Sequence, residues 1–124
     1  MLKRYSFLIL IAALTGCSST GGTRTERPEQ IVYDAHGKYV TALQVAVAYK
    51  SLPSCDEAGA GPLCAKASVI EEVQNADNVA YPILTGAQAA VRAPSTGLNL
   101  GLIAKAADEA VKAFKAITDR LRTR

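Results

Sequence analysis

Few side chains in this 124-residue sequence belong to types that do acid–base or covalent chemistry, and their spacing narrows what they can do. His36 is the only histidine. The run Asp34-Ala35-His36-Gly37 is too short to assemble a nucleophile, a base and an orienting group without residues from other elements, so the imidazole reads as a helix-surface side chain. Glu71-Glu72 and Asp108-Glu109 are adjacent carboxylates, and adjacent residues on a helix point apart, which makes them solvated faces rather than an acid/base pair. G-x-S-x-G, H-E-x-x-H and phosphate-loop motifs are absent from the sequence. Arg120, Arg122 and Arg124 gather at the C-terminal end, where cations complement a helix dipole and where a phosphate would also find partners. The expectation is a non-catalytic chain with no cofactor, no metal and no evident small-molecule substrate.

The remaining reactive groups are three thiols, Cys17, Cys55 and Cys64. Cys17 closes a segment with the three parts of an export signal: a basic start (Lys3, Arg4), an apolar run Phe7–Leu14, and a small-residue exit at Thr15-Gly16. The apolar run is far short of the ~20 residues that span a bilayer, so it addresses the chain rather than anchoring it. Leu14-Thr15-Gly16-Cys17 resembles the lipobox of bacterial lipoproteins. That resemblance implies that Leu14 fills the specificity pocket of the type II signal peptidase, that Gly16 is the small residue at the cut, and that the Cys17 thiol takes diacylglycerol. Ser18 stands where an Asp would, in the enterobacterial pattern, retain the chain in the inner membrane. The resemblance therefore implies a lipid anchor in the outer membrane, on its periplasmic side. An ordinary secretory signal with a chance cysteine near its end is the competing reading.

With Cys17 assigned to lipid, Cys55 and Cys64 form an even pair in an exported chain and are expected to form a disulfide across one loop. Zinc is the alternative, but eight residues separate the two and no second Cys/His pair exists. Tyr33, Tyr39, Tyr49 and Tyr81 combine large area with a polar tip. They suit either gap filling in an alanine-rich core or a protein interface.

These residues must be positioned by a chain that is 49% hydrophobic and only 6% aromatic, without Trp. Such a composition builds a core from Ala, Val, Leu and Ile and suits closely approaching helices. Signal removal takes Lys3 and Arg4 from 14 basic residues, leaving 12 against 11 acidic ones. The formal charge of +3 on the full sequence is too small and too dispersed to suggest nucleic acid as a partner, and the balance after signal removal argues against a polybasic lipid-binding surface. Residues 1–16 are read as the cleaved signal, and 17–30 as the acylated cysteine and a flexible tether with an r.m.s. reach of about 20 Å. Residues 31–124 are read as a helical domain.

Helical spacing in Val32, Tyr39, Leu43 and Ala46 predicts a first helix over Ile31–Leu52, ended by Pro53. Val69, Val73, Ala76, Ala80, Leu84, Ala87 and Val91 predict a second over Cys64–Arg92, with a kink or break around Asn78–Tyr81 imposed by Pro82. Leu100, Ile103, Ala107, Ala110, Phe114, Ile117 and Leu121 form a heptad seam in a third helix over Leu98–Arg122. Short connections make this an all-α, antiparallel up-down-up three-helix bundle. So much alanine leaves the core thin, and a disulfide and self-association are the two available supports.

The stretch Val32–Val40, with Asn78-Val79-Ala80-Tyr81, resembles small helical lipoproteins encoded in phage and prophage genomes. The resemblance implies an envelope role during infection or lysogeny, such as blocking an outer-membrane receptor or assisting lysis. The reading from the residues themselves is a lipid-anchored envelope module whose partner is itself or another envelope protein.

Overall fold

Proline can open a helix because the first turn has no use for its missing N–H and its fixed φ already suits the helix. In the computed structural model, which describes residues 26–122, the first element starts in that way at Pro28. The three helices are α1 (Pro28–Lys50), α2 (Ala67–Arg92) and α3 (Leu100–Arg122). Leu14, Gly16 and Cys17, the signal and most of the tether lie outside the described residues, as does Arg124.

Several boundaries differ from the sequence reading, each for a local reason. Residues 28–30, expected in the tether, form the first turn of α1, where Glu29 complements the helix dipole. α2 begins at Ala67 rather than Cys64 because Cys64 and Ala65 are held in the preceding loop: Cys55 N–H donates to the Ala65 carbonyl (3.1 Å) and Ala65 N–H to that of Pro53 (2.8 Å). α3 begins at Leu100 because Asn99 caps it, its Oδ1 accepting the Leu102 N–H at 3.1 Å. The preceding Gly97 has φ +98°, a conformation that glycine adopts without steric cost.

Of the kink or break expected near Pro82, the break does not occur: α2 runs through Pro82 as one continuous helix. Pro82 leaves the Asn78 carbonyl without its helical donor, but Asn78 and Pro82 are both exposed, so water can satisfy that group.

Cross-helix contacts fix the topology. Ile31 lies beside Gly101 and Lys105, Lys38 meets Asp108, and Tyr49 and Leu52 lie beside Leu121, so α1 and α3 run in the same direction. Tyr39 meets Asp77, while Tyr49 meets Lys66 and Arg120 meets Glu72, so α2 runs against both. The chain is an all-α, up-down-up three-helix bundle.

The core holds Val32, Ala35, Tyr39, Ala42 and Ala46 of α1; Val73, Ala80, Leu84 and Ala87 of α2; and Ala104, Ala107, Val111, Phe114 and Thr118 of α3. Half of these positions are alanine, which brings backbones close and concentrates buried area in Phe114, Leu84 and Val111. On α3 the fully buried row is rotated from the predicted seam: it shares Ala107 and Phe114, but Ile103, Ala110, Ile117 and Leu121 are only partly buried. α3 packs against both other helices and needs a face wider than one seam. Thr118 is tolerated in this row because its Oγ1 donates to the Lys115 carbonyl at 3.0 Å.

Gly37 lies inside α1 on the exposed side, and a Cβ there would meet nothing within 4 Å. Glycine in a helix interior costs about 0.5–1 kcal/mol relative to alanine. Gly37→Ala is therefore expected to stabilise the chain by that amount, measured as a rise in the denaturation midpoint at unchanged m-value.

Candidate functional site

The polar side chains that the bundle brings together serve mainly to tie helix to helix. Tyr39 is 7% exposed. Its hydroxyl donates to Asp77 Oδ1 at 2.7 Å, and its ring lies 5.5 Å from Phe114 and 6.3 Å from Tyr81. Tyr39 thus fills the gap left by small neighbours and joins all three helices, which removes it from the residues available to an interface. Tyr49 is half-buried, its hydroxyl accepting the Lys66 backbone N–H at 3.0 Å where α2 begins. Tyr33 and Tyr81 are exposed, so the four tyrosines divide between structural and surface positions.

Burial pushes the Tyr39 phenol well above the ordinary tyrosine value, and the hydrogen bond to Asp77 and that residue's charge add to the shift. A raised folded value means that stability is fully present below about pH 10, the unfolded value, and is lost as pH rises past it. Tyr39→Phe is expected to cost about 1.5 kcal/mol at neutral pH, the low end for a bond to a charged group because Asp77 is half-exposed and rehydrates. The variant should also lose stability less steeply than the parent above pH 10 in urea titrations.

Asp108 sits between Lys38 (3.1 Å) and Lys112. Burial opposes its ionisation, but hydrogen bonds from Lys112 and Lys38 outweigh that cost and hold the carboxyl below its ordinary value. Its contribution to stability is therefore present above the ordinary aspartate range and is lost as pH falls through the lowered folded value. Glu72 pairs with Arg120, so the C-terminal arginine cluster is partly engaged within the bundle, and Glu71 is exposed. Asp34 and His36 are separated: Asp34 borders a hollow with Lys38 and Asp108, whereas His36 borders another with Tyr33 and Arg92.

Cys55 and Cys64 are joined in a disulfide, with Cα atoms 4.9 Å apart, across the loop between α1 and α2. The zinc alternative for this pair is thereby replaced. Among the described residues no cluster of three or more His, Cys, Asp and Glu could hold a metal, and no helix is long and apolar enough to cross a membrane.

Two apolar surface features involve α1. An apolar cleft of about 220 Å³ lies between α1 and α2, bordered by Leu43, Val47, Ile70 and Asp77 and reaching down to Phe114. Beside it, Tyr33, Val40 and Val47 are exposed along one side of α1. Of the three, only Tyr33 is singled out by residue type, and the seven-residue intervals from 33 to 40 to 47 are the signal that would find the two valines. Comparison with protein-family models, curated proteins and solved structures finds no match to this chain.

Proposed function

We propose that this chain is a non-catalytic, lipid-anchored helical interaction module of the bacterial envelope, held through Cys17 to the periplasmic side of the outer membrane. The observation that carries this reading is the sequence Leu14-Thr15-Gly16-Cys17 at the end of a short apolar run with a basic start. The disulfide supports it by accounting for Cys55 and Cys64, which leaves Cys17 for acylation and suits an oxidising compartment.

In this reading the attachment point and the disulfide loop lie at opposite ends of the bundle. The tether enters at Pro28, the same end of the bundle as the α2–α3 connection, while the disulfide loop closes the opposite end. α1 is 23 residues long, or about 35 Å at 1.5 Å per residue, which is the distance along the bundle between the tether and the disulfide loop. Two or more acyl chains would make the attachment stable where one chain is marginal.

Labelling cells that express the full chain with an alkyne fatty acid tests the anchor. The parent should carry label and partition with membranes, and Cys17→Ser should carry none and accumulate with its signal uncleaved. Equal labelling of Cys17→Ser, or an unlabelled parent, would overturn the proposal.

A further inference from the structure

α1 carries two apolar seams and the bundle uses one of them. The buried row runs through Val32, Ala35, Tyr39, Ala42 and Ala46. About 100° further round the helix, Tyr33, Val40 and Val47 follow one another at seven-residue intervals and are 78%, 38% and 60% exposed. Seven residues is the heptad repeat of paired helices, here filled by apolar residues at one of its two seam positions, with Gly37 and Gln44 at the other. Isolated exposed apolar residues are ordinary on a protein surface, but an aligned set on one helix marks a contact face.

We infer that this seam docks a second copy of the same chain, with the two α1 helices antiparallel and crossing at Val40. The seam is balanced about that residue, Tyr33 lying seven positions before it and Val47 seven after. Antiparallel pairing puts Val40 on Val40 of the second copy and places each large Tyr33 ring on a small Val47. The ends of α1 carry opposite charges, Glu29 in its first turn and Lys50 in its last. Antiparallel pairing brings Glu29 within reach of Lys50 of the second copy, and twofold symmetry makes that pair twice. Parallel pairing would oppose Glu29 to Glu29 and Lys50 to Lys50, which is unfavourable at both ends. Gly37, one turn before Val40, leaves open space on this side of the helix for close approach.

The dimer deepens the reading of the chain as an interaction module by naming its partner, and it rests on the membrane anchor only for local enrichment. The two tethers would leave the pair about 36 Å apart by helix rise, and each reaches about 20 Å, so one leaflet can hold both. Tethering raises the effective concentration of a seam too small to pair strongly from dilute solution.

Cysteine crosslinking of the full chain in its native envelope tests the geometry. Under mild oxidation Val40→Cys should form a disulfide-linked dimer. Tyr33→Cys and Val47→Cys should each remain monomeric alone and crosslink when co-expressed. Glu29→Lys introduced into the Val40→Cys chain should lower the dimer about fivefold, and adding Lys50→Glu should restore it. Absence of the Val40→Cys dimer would overturn the inference, as would self-crosslinking at 33 and 47 equal to that at 40, the mark of parallel pairing. Dimerisation of the unsubstituted chain through Cys17 would count against the lipid anchor and leave the docking seam to be judged by the substituted positions after Cys17 is blocked.

Discussion

Phe114→Ala should lower stability by about 3–5 kcal/mol, the range for truncating a buried phenylalanine, and this is a large share of the roughly 5–15 kcal/mol that holds a domain of this size. The reason lies in the neighbours. Phe114 is fully buried against Tyr39 and forms the floor of the α1–α2 cleft, while Ala35, Ala42, Ala46, Ala80, Ala87, Ala104 and Ala107 supply much of the remaining core. Alanine has no rotamers with which to close a cavity, so the space left by the ring stays open or fills with water through the cleft. Phe114→Leu keeps most of the volume and should cost well under half as much. Urea denaturation of the full chain followed by circular dichroism measures both, and a loss below about 1 kcal/mol for the alanine variant would mean that the three helices do not share one core around this ring.

Removing the disulfide has the second largest expected effect. The cysteines are nine positions apart, and closing a loop of that size stabilises by about 2–3 kcal/mol in the chain-entropy model. Replacing both Cys55 and Cys64 by Ser should lower the denaturation midpoint accordingly while leaving the helical signal intact, because the loop lies outside the helices. Hydrogen exchange should accelerate most between residues 51 and 66, where the bonds linking Cys55 to Ala65 and Ala65 to Pro53 depend on the same closure. An unchanged midpoint in the doubly substituted chain, or in the parent after reduction, would show that the crosslink does not constrain the unfolded chain.

The helices were legible because their apolar residues recur at three and four, and the connections because Pro, Gly and Ser gather there. The rotation of α3 was not. Ile103, Ala107, Ala110, Phe114 and Ile117 and the row Ala104, Ala107, Val111, Phe114 and Thr118 both satisfy the spacing, and in an alanine-rich helix only the positions of the neighbours decide between them. Thr118 is also polar, and its burial depends on a local bond to the Lys115 carbonyl that composition does not announce. Whether Pro82 would break α2 was not legible for a related reason: a proline breaks a helix when the carbonyl it strands has no donor, and whether that carbonyl meets water depends on which side of α2 faces out. The Tyr39–Asp77 bond joins residues 38 positions apart and leaves no trace in spacing. The seam of Tyr33, Val40 and Val47 was legible as a period but not as a surface, since β-branched residues suit a buried face equally well.

The account turns on what the chain does with its three cysteines, and the intact mass of the chain extracted from its envelope, before and after reduction, reads all three together. The prediction is an N-terminus at Cys17, additional mass corresponding to at least a diacylglyceryl group, and a gain of two hydrogens on reduction as the Cys55–Cys64 bond opens. A chain that retains residues 1–16, or one beginning near Cys17 with that thiol free, would contradict the lipid anchor and with it the envelope role proposed for this bundle.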